Sequence, residues 1–171
     1  MGIVLKQSFK NTLFIYLGFV FGGVNTLFLY TRFLEDEYYG LVTFLLSTSN
    51  LLMPIIALGI HHTIVKFFSS YLTKADKDRF LSSILFLPCL IAIPIAYFGN
   101  LFYDEIGTYL SKENPVIKDY TFVIYLIAVA TSYFEVFYAL AKVQYQSVFG
   151  NILKELWNRV VVMMLLSAFV R

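Results

Sequence analysis

The chain is patterned as long apolar runs separated by short polar stretches. Two apolar runs of 20 residues, 12–31 and 41–60, stand on either side of a nine-residue turn at 32–40, Arg-Phe-Leu-Glu-Asp-Glu-Tyr-Tyr-Gly. The hydrocarbon core of a bilayer is about 30 Å thick and is crossed by about 20 residues of α-helix. Each run therefore has the length of a membrane span, and the short turn predicts two adjacent antiparallel helices.

Five apolar segments of this kind follow one another along the chain. Backbone polar groups in a bilayer must be hydrogen-bonded within the protein, and five isolated strands would not close a barrel, so each segment is predicted to be a helix. The pattern predicts an all-α fold, a polytopic membrane helix bundle of about five transmembrane helices forming one domain over residues 1–171. The predicted helices lie near 11–31, 40–60, 80–102, 120–141 and 156–171.

Composition excludes a soluble globular domain. Hydrophobic residues make up 59% of the chain and the mean hydropathy is +0.73, whereas soluble domains are about 45–50% apolar. The formal net charge of +2 is too small to favour nucleic acid as a partner. The single cysteine, Cys89, lies inside an apolar run, so it predicts neither an internal disulfide nor a metal site.

The distribution of Lys and Arg predicts the orientation. Cytoplasmic loops of membrane proteins carry an excess of positive residues. With alternating spans, nine Lys and Arg residues fall on the side of the N-terminus and four on the other. We therefore expect a multi-pass protein of the cell (inner, cytoplasmic) membrane with a cytoplasmic N-terminus. The nine are Lys6, Lys10, Lys66, Lys74, Lys77, Arg79, Lys142, Lys154 and Arg159; the four are Arg32, Lys112, Lys118 and Arg171.

The segment 144–159 has apolar residues at helical spacing, with Lys154, Asn158 and Arg159 away from them. It is predicted to be an amphipathic helix. Two arrangements are open: the helix lies along the cytoplasmic interface, or it runs directly into the fifth span.

Three of the predicted spans carry a face of small or polar residues. Such faces allow close helix approach, and Gly18-xxx-Gly22 is one such contact. The faces are interpreted either as helix packing alone or as the lining of a polar cavity. They comprise Asn11, Gly18, Gly22, Asn25 and Arg32 on the first helix, Thr43, Ser47, Asn50, Pro54, Ala57 and His61 on the second, and Thr121, Ala128, Ser132, Glu135, Ala139 and Lys142 on the fourth.

Four residues on these faces, Asn25, Arg32, Asn50 and Glu135, are candidates for lining a cavity or binding a substrate. A charge within a membrane helix costs about 2.5–3.5 kcal/mol on insertion scales. Glu135 therefore faces a water-filled cavity, forms a buried structural ion pair, or reaches back to the interface. Arg32 either anchors its helix end or holds a phosphate bidentately.

No pattern in the chain predicts catalysis, a metal or a cofactor. His61 and His62 are adjacent on a helix and point about 100° apart, so they do not chelate one metal ion. We interpret them as residues at a helix boundary. There is no paired carboxylate, no nucleophile with a base and no phosphate-binding glycine loop, so an enzyme is not predicted.

Three short segments carry a family resemblance. The turn Tyr-Thr-Arg-Phe-Leu-Glu-Asp-Glu-Tyr-Tyr-Gly at 30–40 resembles the ARLLGPEEYG turn of polysaccharide-type flippases, with Glu-Asp-Glu where Gly-Pro-Glu is common. Leu-Gly-Ile at 58–60, followed by Val-Lys-Phe at 65–67, is similar to their LGLPTALVRF pattern. Ala-Leu-Ala-Lys-Val-Gln at 139–144 resembles their LLRAQ segment. The family is the oligosaccharide flippase branch of the multidrug/oligosaccharidyl-lipid/polysaccharide exporter superfamily.

The resemblance implies a transporter of twelve to fourteen helices in two lobes, working by alternating access on a polyprenyl-diphosphate-linked glycan. This chain would then be most of the N-terminal lobe and a fragment of the whole. The resemblance itself assigns no site residue. The hypothesis that combines it with the polar-faced helices is that Asn25 and Arg32 meet the diphosphate or sugar, and that Glu135 sits in the hydrated cavity and titrates with a coupling H⁺ or Na⁺ gradient. Two alternatives are open: a cation-coupled multidrug antiporter of the same superfamily, and a membrane scaffold without transport activity.

Overall fold

The computed structural model describes residues 2–168, except for the side chains of residues 3 and 4. Within these residues every regular element is a helix, and helices account for 89% of them. The prediction of an all-α membrane helix bundle is therefore confirmed. The chain divides into two compact units, one made of residues 1–39 and 144–171 and the other of residues 40–143.

Among the described residues, four helices are long and apolar enough to cross a membrane. Each coincides with one of the first four predicted segments. The far end of the fifth predicted segment, including Arg171, lies outside the described residues, and its described part is helical. The four spans are Leu5–Phe33, Asp36–Ala57, Lys74–Leu101 and Ile117–Val143.

The first unit pairs the first and last helices of the chain. Asn11 Nδ2 donates to Ser147 Oγ at 3.2 Å, and Asn25 Nδ2 donates to the Arg159 carbonyl at 2.8 Å. From the first bond to the second, the residue number increases in both helices, so the two helices run parallel. The elements of this unit are α1 (Ile3–Val24), a π-helical segment π1 (Asn25–Tyr30), α2 (Thr31–Phe33), α8 (Ser147–Asn151), a π-helical segment π2 (Ile152–Trp157) and α9 (Asn158–Ala168).

The parallel pairing decides between the two arrangements left open for residues 144–159. The helix begins at Ser147 and continues without interruption to Ala168, so it does not stop at residue 159. The predicted start of the fifth helix at 156 is about nine residues too late. The charged residues of this helix, Lys154, Glu155 and Arg159, give it the sequence pattern of an interfacial segment.

The second unit contains the other three spans and two short helices. A long helix begins at Lys74 because the Thr73 side chain accepts a hydrogen bond from the Asp76 backbone N–H at 3.1 Å, which satisfies a free donor of the first turn. The elements are α3 (Asp36–Ala57), whose first four residues belong to the first unit, α4 (Ile60–Phe67), a 3₁₀ turn (Phe68–Ser70), α5 (Lys74–Leu101), α6 (Tyr103–Leu110) and α7 (Ile117–Val143).

Helix α7 lies at the centre of this unit. It runs parallel to α3, where Ser49 Oγ donates to the Ile124 carbonyl at 3.0 Å. It is antiparallel to α5: Tyr125 Oη donates to the Ala92 carbonyl at 3.0 Å, and Tyr133 Oη to the Leu85 carbonyl at 3.2 Å. The small buried residues Ala128 and Ser132 allow this close approach.

Two short helices were not predicted. The chain breaks after Ala57, where Leu58 and Gly59 take positive φ angles of 47° and 67°, and then continues as α4. Ile60 and Ile64 of α4 pack against Val136 of α7. The predicted 40–60 helix therefore ends at Ala57, because two successive left-handed residues cannot continue an α-helix. Helix α6 lies in the predicted loop between the third and fourth spans.

Candidate functional site: polar residues within the spans

The three polar faces have different environments. On α7 the face is buried, since Thr121, Ala128, Ser132, Glu135 and Ala139 all lie inside the second unit. Lys142, at the end of the same face, is exposed. This face is therefore a packing seam along nearly its whole length.

On α3 four of the six residues of the predicted polar face are exposed, whereas Ala57 is buried and His61 is half-buried. Thr43, Ser47, Asn50 and Pro54 all lie at the surface, whereas Leu41, Leu45, Ser49 and Ile56 form the buried side. At 100° per residue these two sets lie on opposite sides of the helix. This face does not pack against the core of its unit, so packing alone does not account for it. We refer to Thr43, Ser47, Asn50 and Pro54 as the α3 polar face.

Asn25 lies in the seam of the first unit. Its side chain is 3% exposed, and its amide nitrogen donates to the Arg159 carbonyl at 2.8 Å. The amide oxygen is buried without a hydrogen-bond partner. Turning the amide over would place its oxygen against the Arg159 carbonyl, which is also an acceptor, so the hydrogen bond to Arg159 would be lost. Asn25 is therefore a helix-joining residue with one unused acceptor.

Arg32 does not share the face of Asn25. Its side chain is exposed, and its guanidinium carbon lies 5.8 Å from the centre of the Phe33 ring. The predicted common face assumed an uninterrupted α-helix. The intervening π1 segment holds one more residue per turn, because its hydrogen bonds run from i to i+5, and this rotates Arg32 away. The structure places Arg32 at the end of the first span.

Asn50 and Glu135 both belong to the second unit, in opposite environments. The Asn50 amide is exposed near the middle of α3. Glu135 is 8% exposed, lies two turns before the end of α7 and is not unpaired. Glu135 is therefore enclosed within its own unit. Its neighbour Val136 packs with Ile60 and Ile64 of α4, which places Glu135 beside the broken end of the second span.

A charged pair within the first unit was missed by the sequence reasoning. Arg159 and Glu155 form an ion pair at 3.7 Å, with side chains 34% and 28% exposed. The Arg159 guanidinium lies against Gly22, whose added Cβ would be 3.0 Å from Nη1. Since the first span runs from residue 5 to residue 33, Gly22 lies close to its midpoint. The pair therefore sits at mid-depth alongside the first span.

This placement changes the charge count that predicts orientation. Arg159 and Lys154 were assigned to the cytoplasmic side, but the helix that carries them runs beside the first span. Without these two residues, seven Lys and Arg residues remain on the side of the N-terminus and four on the other side. The predicted orientation is therefore unchanged. The sequence contained one signal for this placement. With alternating spans, the first and fifth predicted helices run in the same direction, so they can pair side by side.

No metal-binding arrangement of three or more His, Cys, Asp or Glu residues exists within residues 2–168. The rings of His61 and His62 lie 4.1 Å apart, and His61 is half-buried. Cys89 is exposed and its sulfur lies 2.7 Å from Tyr133 Oη.

The chain matches no protein-family model, no curated protein and no solved structure.

Proposed function

We propose that the chain is part of a membrane transporter of the oligosaccharide flippase type, which moves a polyprenyl-diphosphate-linked glycan across the cell membrane by alternating access. Its N-terminus lies in the cytoplasm. The α3 polar face is the observation that carries the proposal. A polar face directed away from the core at membrane depth needs water or a polar partner, because lipid satisfies no hydrogen bonds. Passage of a glycan requires such a hydrated surface.

The resemblance of the 30–40 turn supplies the family, and the charged residues supply the candidate chemistry. Arg32 is exposed at the end of the first span, and we propose that its guanidinium holds the diphosphate bidentately. Glu135 and the Arg159–Glu155 pair are ionisable groups at membrane depth, which are typical of ion and substrate pathways. Either carboxylate is a candidate for coupling to H⁺ or Na⁺.

Hydration of the α3 polar face is tested by thiol accessibility in a Cys89→Ser background, which removes the only cysteine. Asn50→Cys is expected to react with a charged, water-soluble thiol reagent. Ile93→Cys is the matched control, because Ile93 is exposed on α5 at a similar depth, as the contacts of Ile124 and Tyr125 with α3 and α5 indicate. Equal and slow reaction at both positions would show that no water reaches Asn50.

Transport is tested in cells that carry the complete protein. Glu135→Gln and Arg32→Ala are expected to reduce export of surface polysaccharide, measured against the membrane level of each variant. Arg32→Lys separates the two roles of this residue, because lysine anchors a helix end but does not bind phosphate bidentately. Unchanged polysaccharide in all three variants would remove these residues from the mechanism.

The same cells separate the alternative functions. Normal surface glycan together with lost Na⁺- or H⁺-coupled efflux of ethidium would identify a multidrug antiporter. Loss of neither activity, with loss of a co-purifying membrane subunit, would identify a scaffold.

A further inference from the structure

A groove in the second unit is separate from the α3 polar face. It lies where α3, α5, α6 and α7 meet and has a volume of about 750 Å³. This lies within the range of about 300–1,000 Å³ found for small-molecule sites. Its walls are mainly hydrocarbon, from residues such as Leu51, Ile55, Ile95 and Phe98. A polar substrate has few partners in it.

One end of the groove, the surface end, lies at α6 between the predicted spans, and the rest lies along α3 and α5 within them. Tyr103 and Ile106 of the short helix α6 line one end, and Ile55 of α3 lines the other. The α3 part of the wall, Thr48 to Ile55, covers about 10 Å at 1.5 Å per residue. The contents of this space at membrane depth are therefore apolar and elongated.

The surface end of the groove is lined by polar residues, and exposed residues of both charges lie next to these residues without lining the groove. Asn100 and Tyr103 line it, and Tyr103 Oη donates to the Lys118 carbonyl at 3.5 Å. The Lys118 side chain is exposed. The first turn of α6 adds the exposed carboxylates of Asp104 and Glu105. A head group with one anionic and one cationic part is complementary to this end.

We propose that the groove binds one acyl chain of a zwitterionic phospholipid whose head group lies at this surface end. The phosphate lies near Lys118 and the ammonium group near the acidic first turn of α6. The bound lipid fills the space between the third span and α6 and so becomes part of the folded unit. This binding is independent of glycan transport.

Gly99 supplies a specific way to block the groove. It lines the groove, and a Cβ added to it would have no atom within 4 Å. Because the added Cβ has open space, the side chain of Gly99→Leu is expected to extend into the groove from within a helix. Gly23→Leu is the matched control, since Gly23 is a helical glycine with equally open space and does not line the groove.

The test uses the complete protein in vesicles that contain phosphatidylethanolamine with a photoreactive group in one acyl chain, followed by peptide mapping. Cross-links are expected within 48–55 and 94–106. Gly99→Leu should reduce them about tenfold, the effect of excluding two methylene groups, whereas Gly23→Leu should not. Lys118→Ser should also reduce them, because the phosphate loses its cation while the groove stays open.

Three outcomes would overturn the proposal. One is equal cross-linking in the wild type and in Gly99→Leu, when thermal unfolding curves show that both proteins are folded. The second is cross-linking by a photoreactive polyprenyl phosphate but none by the phospholipid. The third is cross-linking of 94–106 to a second copy of the chain. Glycan export is not the readout, so failure here is distinct from failure of the proposed function.

Discussion

Two glycines allow the first helix to approach the last one. The backbone carbonyl of Glu155 occupies the space that a Cβ at Gly18 would need, and the Arg159 guanidinium occupies the space beside Gly22. Gly23, one position further on, has open space around it. The GxxxG spacing thus serves a close helix contact, as small residues do in membrane proteins generally.

Gly18→Ala is expected to lower the free energy of unfolding by about 1–3 kcal/mol, the usual cost of overpacking. The obstructing group is backbone, which does not move aside as a side chain would. Unfolding of the purified protein in detergent micelles measures the change. Gly23→Ala is the control, and it should be neutral or stabilising by up to about 1 kcal/mol because alanine favours helix. The same loss in both variants would contradict the packing described for Gly18.

The two candidate asparagines give opposite expectations. Asn25→Ala removes the bond to the Arg159 carbonyl and should lower stability by about 0.6 kcal/mol, the mean value for hydrogen bonds between membrane helices. Asn50→Ala removes an exposed amide and should leave stability unchanged while it reduces transport. Unfolding and export assays on both variants separate the roles. A loss of stability in Asn50→Ala but not in Asn25→Ala would contradict the roles given to these two residues.

At the level of elements, the spans were predictable and their faces were not. Length and hydropathy predicted five spans because the bilayer imposes both, and four of these coincide with described helices that are long and apolar enough to cross a membrane. No local pattern indicates the π1 segment, whereas the break at Leu58 has one local signal, Gly59, because a left-handed glycine commonly ends a helix. The polar face of α3 looked like that of α7 in sequence, yet one is exposed and the other buried. A single helix carries no information about which side its neighbours occupy.

The Arg159–Glu155 pair gives a test of the last helix. Glu155→Leu should lower stability by about 1–2 kcal/mol, less than the about 3–5 kcal/mol of a fully buried pair, because about a third of each side chain is exposed. The double variant Glu155→Leu/Arg159→Leu should recover most of the loss, since no charge is left alone. A double-mutant cycle in detergent measures both. Additive losses would show that the two residues do not interact.

At the level of the whole molecule, the loops must alternate between the two sides of the membrane. In the Cys89→Ser background, Lys112→Cys should react with an impermeant thiol reagent added outside intact cells. Lys77→Cys should react only after permeabilisation, because the cytoplasmic side is predicted to hold the larger number of positive residues. The reverse pattern would invert the predicted orientation. Labelling of both from one side would show that the third span does not cross.

Pairing of the first helix with residues 147–168 also has a consequence for biosynthesis. Ribosomes add about 5–20 residues per second, so on the order of ten seconds separates the insertion of residue 33 from the arrival of residue 159. During that interval Asn11 and Asn25 lack their permanent partners. The nascent first helix is therefore a natural client for an insertase or an intramembrane chaperone until the last helix replaces it.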